Sequence, residues 1–312
     1  WYILLMTFRI YLKENKSKLF KDFHIRDFSL LKKPSYNDEI ILYHNFSNTD
    51  HKKTYGKNII IGGSNGFLGS ILLSARAAIK TGSRYFIICT NKLHTETISL
   101  FQNELITLEY SCKQLKKLND YKVVIIGPGL SKDSWSESIF IDLAGLVSEG
   151  FISTKLVVDA GFLYFLSTNP YKYDNWVLTP HEGEASMLLN RTPSWISANR
   201  IEAACLIQEK YSGTVVLKGP NTIIFDGNQI FISNHGGHYM GVAGMGDALT
   251  GVMASFIHLM GNSNPTNAIL LAVGLHSLSA DTIQSQIGSI GILPSDVIEK
   301  MSELVNTLHN DN

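Results

Sequence analysis

Asn58-Ile59-Ile60-Ile61-Gly62-Gly63 is the stretch whose reading decides the fold. Its three consecutive isoleucines show no polar alternation and stop at a glycine pair, the pattern of a strand buried on both faces. Such strands belong to parallel sheets covered by helices. Residues 71–80 follow with good helix formers and reach Gly82, which suits a left-handed cap. The alternation then repeats through strands at 85–89, 123–126, 156–159, 176–178 and 214–217, with a polar helical region after the first of these and a helix at 139–147. A hairpin at 222–225 and 230–232, turning at Asp226-Gly227-Asn228, interrupts it. Helices at 248–260, 267–286 and 295–308 close the chain. The expected fold is α/β, a central, mostly parallel sheet with helices on both faces.

With 312 residues and 45% hydrophobic content, the chain is long enough for a buried core in one sizeable domain. Equal numbers of basic and acidic residues, 27 of each, exclude a global pull toward nucleic acid or an anionic membrane. Cys89, Cys112 and Cys205 are too few and too scattered for a disulfide framework or a metal array, which points to a reducing, cytoplasmic setting. Residue 1 is Trp, and the short apolar run after it falls well below the roughly 20 residues of a membrane span. Residues 1–50 show no sustained period apart from a strand-like 40–43, and are expected to be an N-terminal arm or the remnant of an upstream domain. Residues 51–312 are expected to form one domain.

In open parallel sheets ligands bind at the carboxyl ends of the strands, and every candidate motif falls there. Gly62-Gly63-Ser64-Asn65-Gly66-Phe67-Leu68-Gly69 and Gly127-Pro128-Gly129-Leu130 are glycine turns of the kind that bring backbone N–H groups close to a ligand, although each also reads as an ordinary strand-to-helix turn. The second apolar strand ends at Cys89-Thr90-Asn91 without an acidic residue, and no G-x-G-x-x-G precedes it, which excludes a dinucleotide-binding oxidoreductase. Thr179-Pro180-His181-Glu182-Gly183-Glu184 reads as a helix start capped by Thr179, with His181 placed to meet a polar ligand. Lys218, emerging from a buried strand into Gly219-Pro220-Asn221-Thr222, offers a cation and backbone donors to a phosphate. The sharpest motif is residues 241–251, where Gly244-Met245-Gly246-Asp247 opens a helix near Gly246. The free N–H groups of a glycine-lined helix start form an anion hole, and Asp247 within it is the candidate base toward a substrate hydroxyl. An acidic residue in a first helical turn is also a common structural feature.

Taken in this order, the motifs resemble the ATP- or ADP-dependent NAD(P)H-hydrate dehydratases, a carbohydrate-kinase-like family within the ribokinase superfamily. The likeness runs from about residue 51 to 305, through His51-Lys52, Tyr55-Gly56-Lys57, Ile61-Gly62-Gly63-Ser64, Gly127 to Leu130, Thr179 to Glu184, Leu217-Lys218-Gly219 with Thr222, Met240 to Gly251, Leu275 to Asp281 and Leu293 to Asp296. It implies a ribokinase-like fold and nucleotide-driven dehydration of hydrated NADH and NADPH. It also implies ADP or ATP with Mg2+ as cofactors, a homo-oligomer (a tetramer by likeness) and a functional link to an epimerase of the hydrate. By the same likeness Asp247 is catalytic, while Ser70, Ser131, His181 and Asp247 contact the substrate. Lys218, Gly219, Pro220, Asn221, Thr222 and Gly246 hold the nucleotide. Where the family carries alanine, glycine and D-A-D-x-L-N, this chain carries Ser70, Ser131 and Asp159-Ala160-Gly161-Phe162-Leu163-Tyr164, losing a carboxylate and an Asn. A ribokinase-type kinase releasing a stable phosphorylated product, and a nucleotide-binding homologue with weakened catalysis, are the alternatives.

Overall fold

A computed structural model describes the backbone of residues 2–11, 24–31, 39–43, 56–261 and 265–310, with side chains for 56–261 and 265–306. The lead-in residues His51, Lys52 and Tyr55 lie outside it. The strands are β1 (Tyr2–Tyr11), β2 (His24–Leu31), β3 (Glu39–Tyr43), β4 (Asn58–Ile61), β5 (Phe86–Thr90), β6 (Ile106–Glu109), β7 (Val123–Ile126), β8 (Lys155–Val158), β9 (Trp176–Leu178), β10 (Thr214–Leu217), β11 (Ile223–Phe225) and β12 (Gln229–Ser233). They form one 12-stranded sheet in the order β3-β1-β2-β12-β11-β10-β9-β8-β7-β4-β5-β6. From β6 to β10 every pairing is parallel; the β10-β11-β12 segment is antiparallel, as the Asp226-Gly227 turn requires. Residues 1–50 hold three strands where the sequence led us to expect only 40–43, and β2 runs parallel to β12, so this segment lengthens the sheet.

Helices α1 (Leu68–Lys80), α2 (Lys92–Phe101), α3 (Cys112–Leu115), α4 (Ser134–Ser148), α5 (Gly161–Thr168), α6 (Glu182–Leu189), α7 (Pro193–Ala198), α8 (Arg200–Tyr211), α9 (Met245–Met260), α10 (Pro265–Ile287) and α11 (Pro294–Asn310) connect and cover the strands. Ile60, Ile125, Val157, Val177 and Val216 face a layer built by α1, α9, α10 and α11. Their neighbours Ile59, Ile61, Val124, Ile126, Leu156 and Val158 face the opposite layer, which draws on α4 to α8. Both faces of each central strand are therefore buried, the physical reason these strands carry continuous apolar runs. The fold is the α/β architecture expected.

Two close approaches position the site. Gly127, at φ +119 after β7, lies so near the next strand's end that a Cβ would sit 1.8 Å from the Asp159 carbonyl oxygen, so only glycine fits. Helices α1 and α9 cross where a Cβ on Gly251 would lie 2.1 Å from the Ser74 carbonyl. Ser74 Oγ donates to the Asp247 carbonyl at 2.9 Å, tying the first turn of α9 to α1.

Candidate functional site

Three charged side chains, Lys218, Asp159 and Glu184, converge at the carboxyl ends of β8, β9 and β10. Lys218 follows β10, and its backbone N–H donates to the Pro180 carbonyl at 2.8 Å, joining that strand end to the one before α6. Its ammonium lies 2.5 Å from Asp159 Oδ1 and 3.8 Å from Glu184 Oε2. Asp159 follows β8 and is buried; Glu184 lies in the first turn of α6 and is also buried. Gly246 closes the group, since a Cβ there would meet Lys218 Nζ at 3.0 Å and Asp159 Oδ2 at 3.4 Å. Ala160, between Asp159 and α5, is held at φ 50 and ψ −125, a conformation costly for a residue with a Cβ and of the kind found where a fold over-determines a functional segment.

The start of α9 has the expected geometry. Gly244 is its N-cap at φ 92, and the helix begins at Met245, one residue before the expected start. Met245 N–H donates to Val242 O at 3.2 Å and Ala248 N–H to Gly244 O at 3.0 Å. Among the described residues no backbone acceptor meets the N–H groups of Gly246 or Asp247, and Lys218 Nζ lies 3.0 Å from where a Gly246 Cβ would sit, so the positive end of the helix dipole adjoins the ammonium.

The electrostatics of the cluster follow from its burial. Asp247 is pushed up to about 6, first by desolvation and then by the charge of Asp159, while the Ser70 hydroxyl and Lys218 pull it back. Glu184 is pushed up to about 7 by desolvation, against Lys218 and with Asp159 adding to the rise. Burial alone would lower Lys218, but Asp159, Glu184 and Asp247 outweigh it and hold the ammonium charged above its usual value. The cluster thus carries one secure cation, while the Asp247 and Glu184 carboxyls are poised between protonation states near neutrality.

The sequence-derived sites fall as follows. Asp247, Gly246 and Lys218 come together around Asp159, and Ser70, in the first turn of α1, lies beside the Asp247 carboxyl. Gly219, Pro220 and Asn221 form an exposed turn after Lys218 that closes at the half-buried Thr222, whose Oγ1 donates to the Gly219 carbonyl at 3.1 Å. Arg200 backs this turn, reaching the Leu217 carbonyl at 3.1 Å and Glu182 Oε1 at 2.6 Å. His181 caps α6: its Nδ1 accepts from Gly183 N at 2.9 Å and Glu184 N at 3.2 Å, and Glu184 answers by accepting from His181 N at 2.7 Å. The expected cap, Thr179, instead donates to Val158 O at 3.0 Å, because its hydroxyl is drawn into the β8 strand end. With Nδ1 engaged, the remaining ring nitrogen of the exposed His181, Nε2, lies 3.6 Å from Glu184 Oε1. Ser131 lies on a separate loop, where its N–H donates to Ser64 Oγ at 3.0 Å and its hydroxyl to Asp133 Oδ2 at 2.5 Å.

Asp159 and Glu184 are the residues that sequence reasoning left out. A terminal Asp on the apolar run Leu156-Val157-Val158 was the available clue. Of the departures from the family pattern, Gly161 has a steric account, since a Cβ there would lie 2.0 Å from the Leu130 carbonyl oxygen. Tyr164 packs its ring under the Lys132 ammonium, 3.9 Å from the centroid. Among the described residues no three His, Cys, Asp or Glu side chains are grouped to hold a metal ion by themselves, and no helix is long and apolar enough to cross a membrane. A cavity of about 510 Å³ lined by Arg84, Tyr85, Phe86 and Glu104 lies at the start of β5, the opposite end of the strand from the turns that build the cluster.

Comparison with known proteins places the chain among relatives of one kind. A model of the family described as NAD(P)H-hydrate dehydratase matches residues 58–303. The bifunctional NAD(P)H-hydrate repair enzyme of Coxiella burnetii is 33% identical over 266 residues, covering 82% of this chain and 51% of that protein. The ADP-dependent (S)-NAD(P)H-hydrate dehydratase of Listeria monocytogenes is 25% identical over 256 residues, covering 80% of this chain and 88% of its own. The chain spans about half the length of the bifunctional relatives it matches. Among solved structures, an ADP/ATP-dependent NAD(P)H-hydrate dehydratase from Bacillus subtilis, crystallised with ATP and Mg2+, superposes with a TM-score of 0.72 at 22% identity, over 86% of this chain and 94% of that one.

Proposed function

This chain belongs to the NAD(P)H-hydrate dehydratase family, and we propose from that premise that it dehydrates hydrated NADH and NADPH at the expense of ADP or ATP, a metabolite-repair lyase activity. The observation that carries the reading is the Asp247 carboxyl, poised near neutrality in a helix start with open N–H donors and faced across Gly246 by the Lys218 ammonium. Phosphoryl transfer needs this set: donors and a cation for the phosphates, and a base for the attacking hydroxyl.

In this reading the N–H groups of Gly246 and Asp247, together with Lys218, hold the phosphates. The turn from Gly219 to Thr222 carries the rest of the nucleotide. His181 Nε2 and Ser70 orient the hydrated nicotinamide, with Ser131 on the adjoining loop at its far side. Asp247 takes the proton of the ring hydroxyl as its oxygen accepts the terminal phosphoryl group, whose bond to the bridging oxygen breaks so that AMP leaves from ADP, or ADP from ATP. Phosphate then leaves with the C–O bonding pair, and loss of a proton from the neighbouring ring carbon restores the double bond. Mg2+ takes one or two protein carboxylates and fills its shell with phosphate oxygens and water; Asp159 and Glu184, which share the Lys218 ammonium beside the helix start, are the carboxylates that would supply them. Bound there, Mg2+ would neutralise charge on the transferring group.

Residues 51–312 would form the catalytic unit as a cytoplasmic homo-oligomer, with the strands of residues 1–50 extending its sheet and an epimerase supplying the reactive epimer. The test is incubation with hydrated NADH and ADP or ATP while following the absorbance of the reduced nicotinamide. Recovery of that band is expected; a stable phosphorylated product without it would establish a kinase instead.

A further inference from the structure

One carboxylate outside the cluster gathers three donors from a single loop. Asp281, on α10, accepts from Gly236 N–H at 2.9 Å and from the Tyr239 hydroxyl on Oδ1, while His235 Nδ1 lies 2.9 Å from Oδ2. Burial would raise the Asp281 carboxyl, but His235, Tyr239 and the Gly236 N–H together hold it below its usual value, so it serves as an ionised acceptor. The Tyr239 phenol is pushed up by its burial and by Asp281, and stays a donor.

The position of this loop gives the clamp a consequence. It begins at β12, where Ser233 N–H donates to the Thr222 carbonyl at 2.9 Å, on the turn that follows Lys218. It ends at Gly244, the N-cap of α9, after Met240 N–H closes on Gly237 O and Gly241 N–H on His238 O, both at 3.0 Å. Its middle carries His238 and Tyr239, whose rings pack edge to face at 5.6 Å. The segment thus joins the two elements read above as nucleotide-binding, and Asp281 ties it to α10 beside the core contacts of Tyr239 and Met240.

We propose that Asp281 is a positioning residue for the adenine nucleotide: by clamping His235, Gly236 and Tyr239 it sets the spacing between the Lys218–Thr222 turn and the start of α9, and so sets nucleotide affinity without taking part in the chemistry. The proposal rests on the dehydratase reading for the identity of the ligand. Asp281 is not among the charges that act on Asp247, Glu184 or Lys218, so its loss acts on the nucleotide elements through the loop.

The experiment is calorimetric titration of the full chain with ADP, alongside steady-state kinetics on hydrated NADH. Asp281→Asn, which keeps the size but weakens the hold on three donors, is expected to raise the ADP Kd about tenfold, equivalent to 1.4 kcal/mol. At saturating nucleotide kcat and the KM for the hydrate stay within twofold of wild type. Tyr239→Phe removes one hydroxyl and is expected to raise Kd between about twofold and tenfold. An unchanged ADP Kd in both variants overturns the proposal, as does a loss confined to kcat or shared equally by the hydrate KM. Should Asp281→Asn fail to fold, Tyr239→Phe decides alone. A wild-type protein that binds ADP but restores no reduced cofactor sinks the dehydratase reading while leaving the Kd comparison intact.

Discussion

The ammonium of Lys218 lies 2.5 Å from Asp159 Oδ1, and both side chains are held away from water at the ends of adjoining strand connections. Two ions so placed depend on each other, because removing one strands the other in a medium that solvates it poorly. Asp159→Ala is expected to destabilise the protein by about 3 kcal/mol, and Lys218→Met by a similar amount. Urea denaturation of both single variants and the double variant checks this. The double variant is expected to lose less than the sum, and simple additivity would show that the pair does not act as one unit.

The carboxyl of Asp247 sits at about 6 and that of Glu184 at about 7, so the pair titrates across the pH range in which the enzyme would work. A base must be ionised to accept a proton, so activity rises with pH through this window and is lost as pH falls below about 6. Asp247→Asn is expected to abolish turnover while leaving ADP affinity within about tenfold. A pH–rate profile of kcat measures the first part, and an acid limb near the ordinary aspartate range would remove Asp247 as the base.

Most of this site was legible because strand ends and glycines mark it in the sequence. Asn58 to Gly63 announces a doubly buried strand, and Gly244 to Asp247 a helix start, since both are local patterns. Asp159 and Glu184 were not legible as site residues, since a strand-terminal Asp and a first-turn Glu have ordinary local explanations and only the fold brings them to Lys218. The edge strand β6 was missed for a related reason: Ile106 and Glu109 are exposed, so no apolar run announces it. His181 as cap of α6 lay outside the usual list of capping residues, its ring nitrogen standing in for the oxygen that Thr179 had seemed to offer.

His276 is buried on α10 with Nε2 lacking a partner among the described residues, and burial pushes it down to about 4. Its folded value lies below the unfolded one of about 6.5, so the unfolded chain binds the extra proton between them. The stability linked to the neutral ring is therefore full above pH 6.5 and lost as pH falls toward 4. His276→Phe keeps a ring and removes the titration. The stability of wild type relative to this variant is expected to drop by about 2 kcal/mol between pH 7 and pH 5. Chemical denaturation at the two pH values reads it, and a constant difference would refute it.

Restoring the family's second carboxylate at position 161 is expected to harm the protein. A Cβ on Gly161 would lie 2.0 Å from the Leu130 carbonyl oxygen, so the loop after β7 must move to admit any side chain. Gly161→Asp is expected to cost about 1–3 kcal/mol. Thermal melting checks it, and a variant at least as stable as wild type would mean that the Leu130 loop yields freely.

Ser70, which replaces the family's alanine, bears on the chemistry through Asp247. Its hydroxyl pulls the Asp247 carboxyl down, against the rise that burial and Asp159 impose. Removing the hydroxyl leaves the ionised form with one fewer donor, so Ser70→Ala should move the acid limb of the kcat profile upward from about 6. Well above the limb the carboxylate is ionised in either protein and turnover should be nearly equal; below it the variant should be the slower of the two. Parallel pH–rate profiles separate this from a packing defect, which would lower turnover at every pH. A limb that stays in place would show that Ser70 does not tune the base, and a downward shift would reverse the sign of its influence.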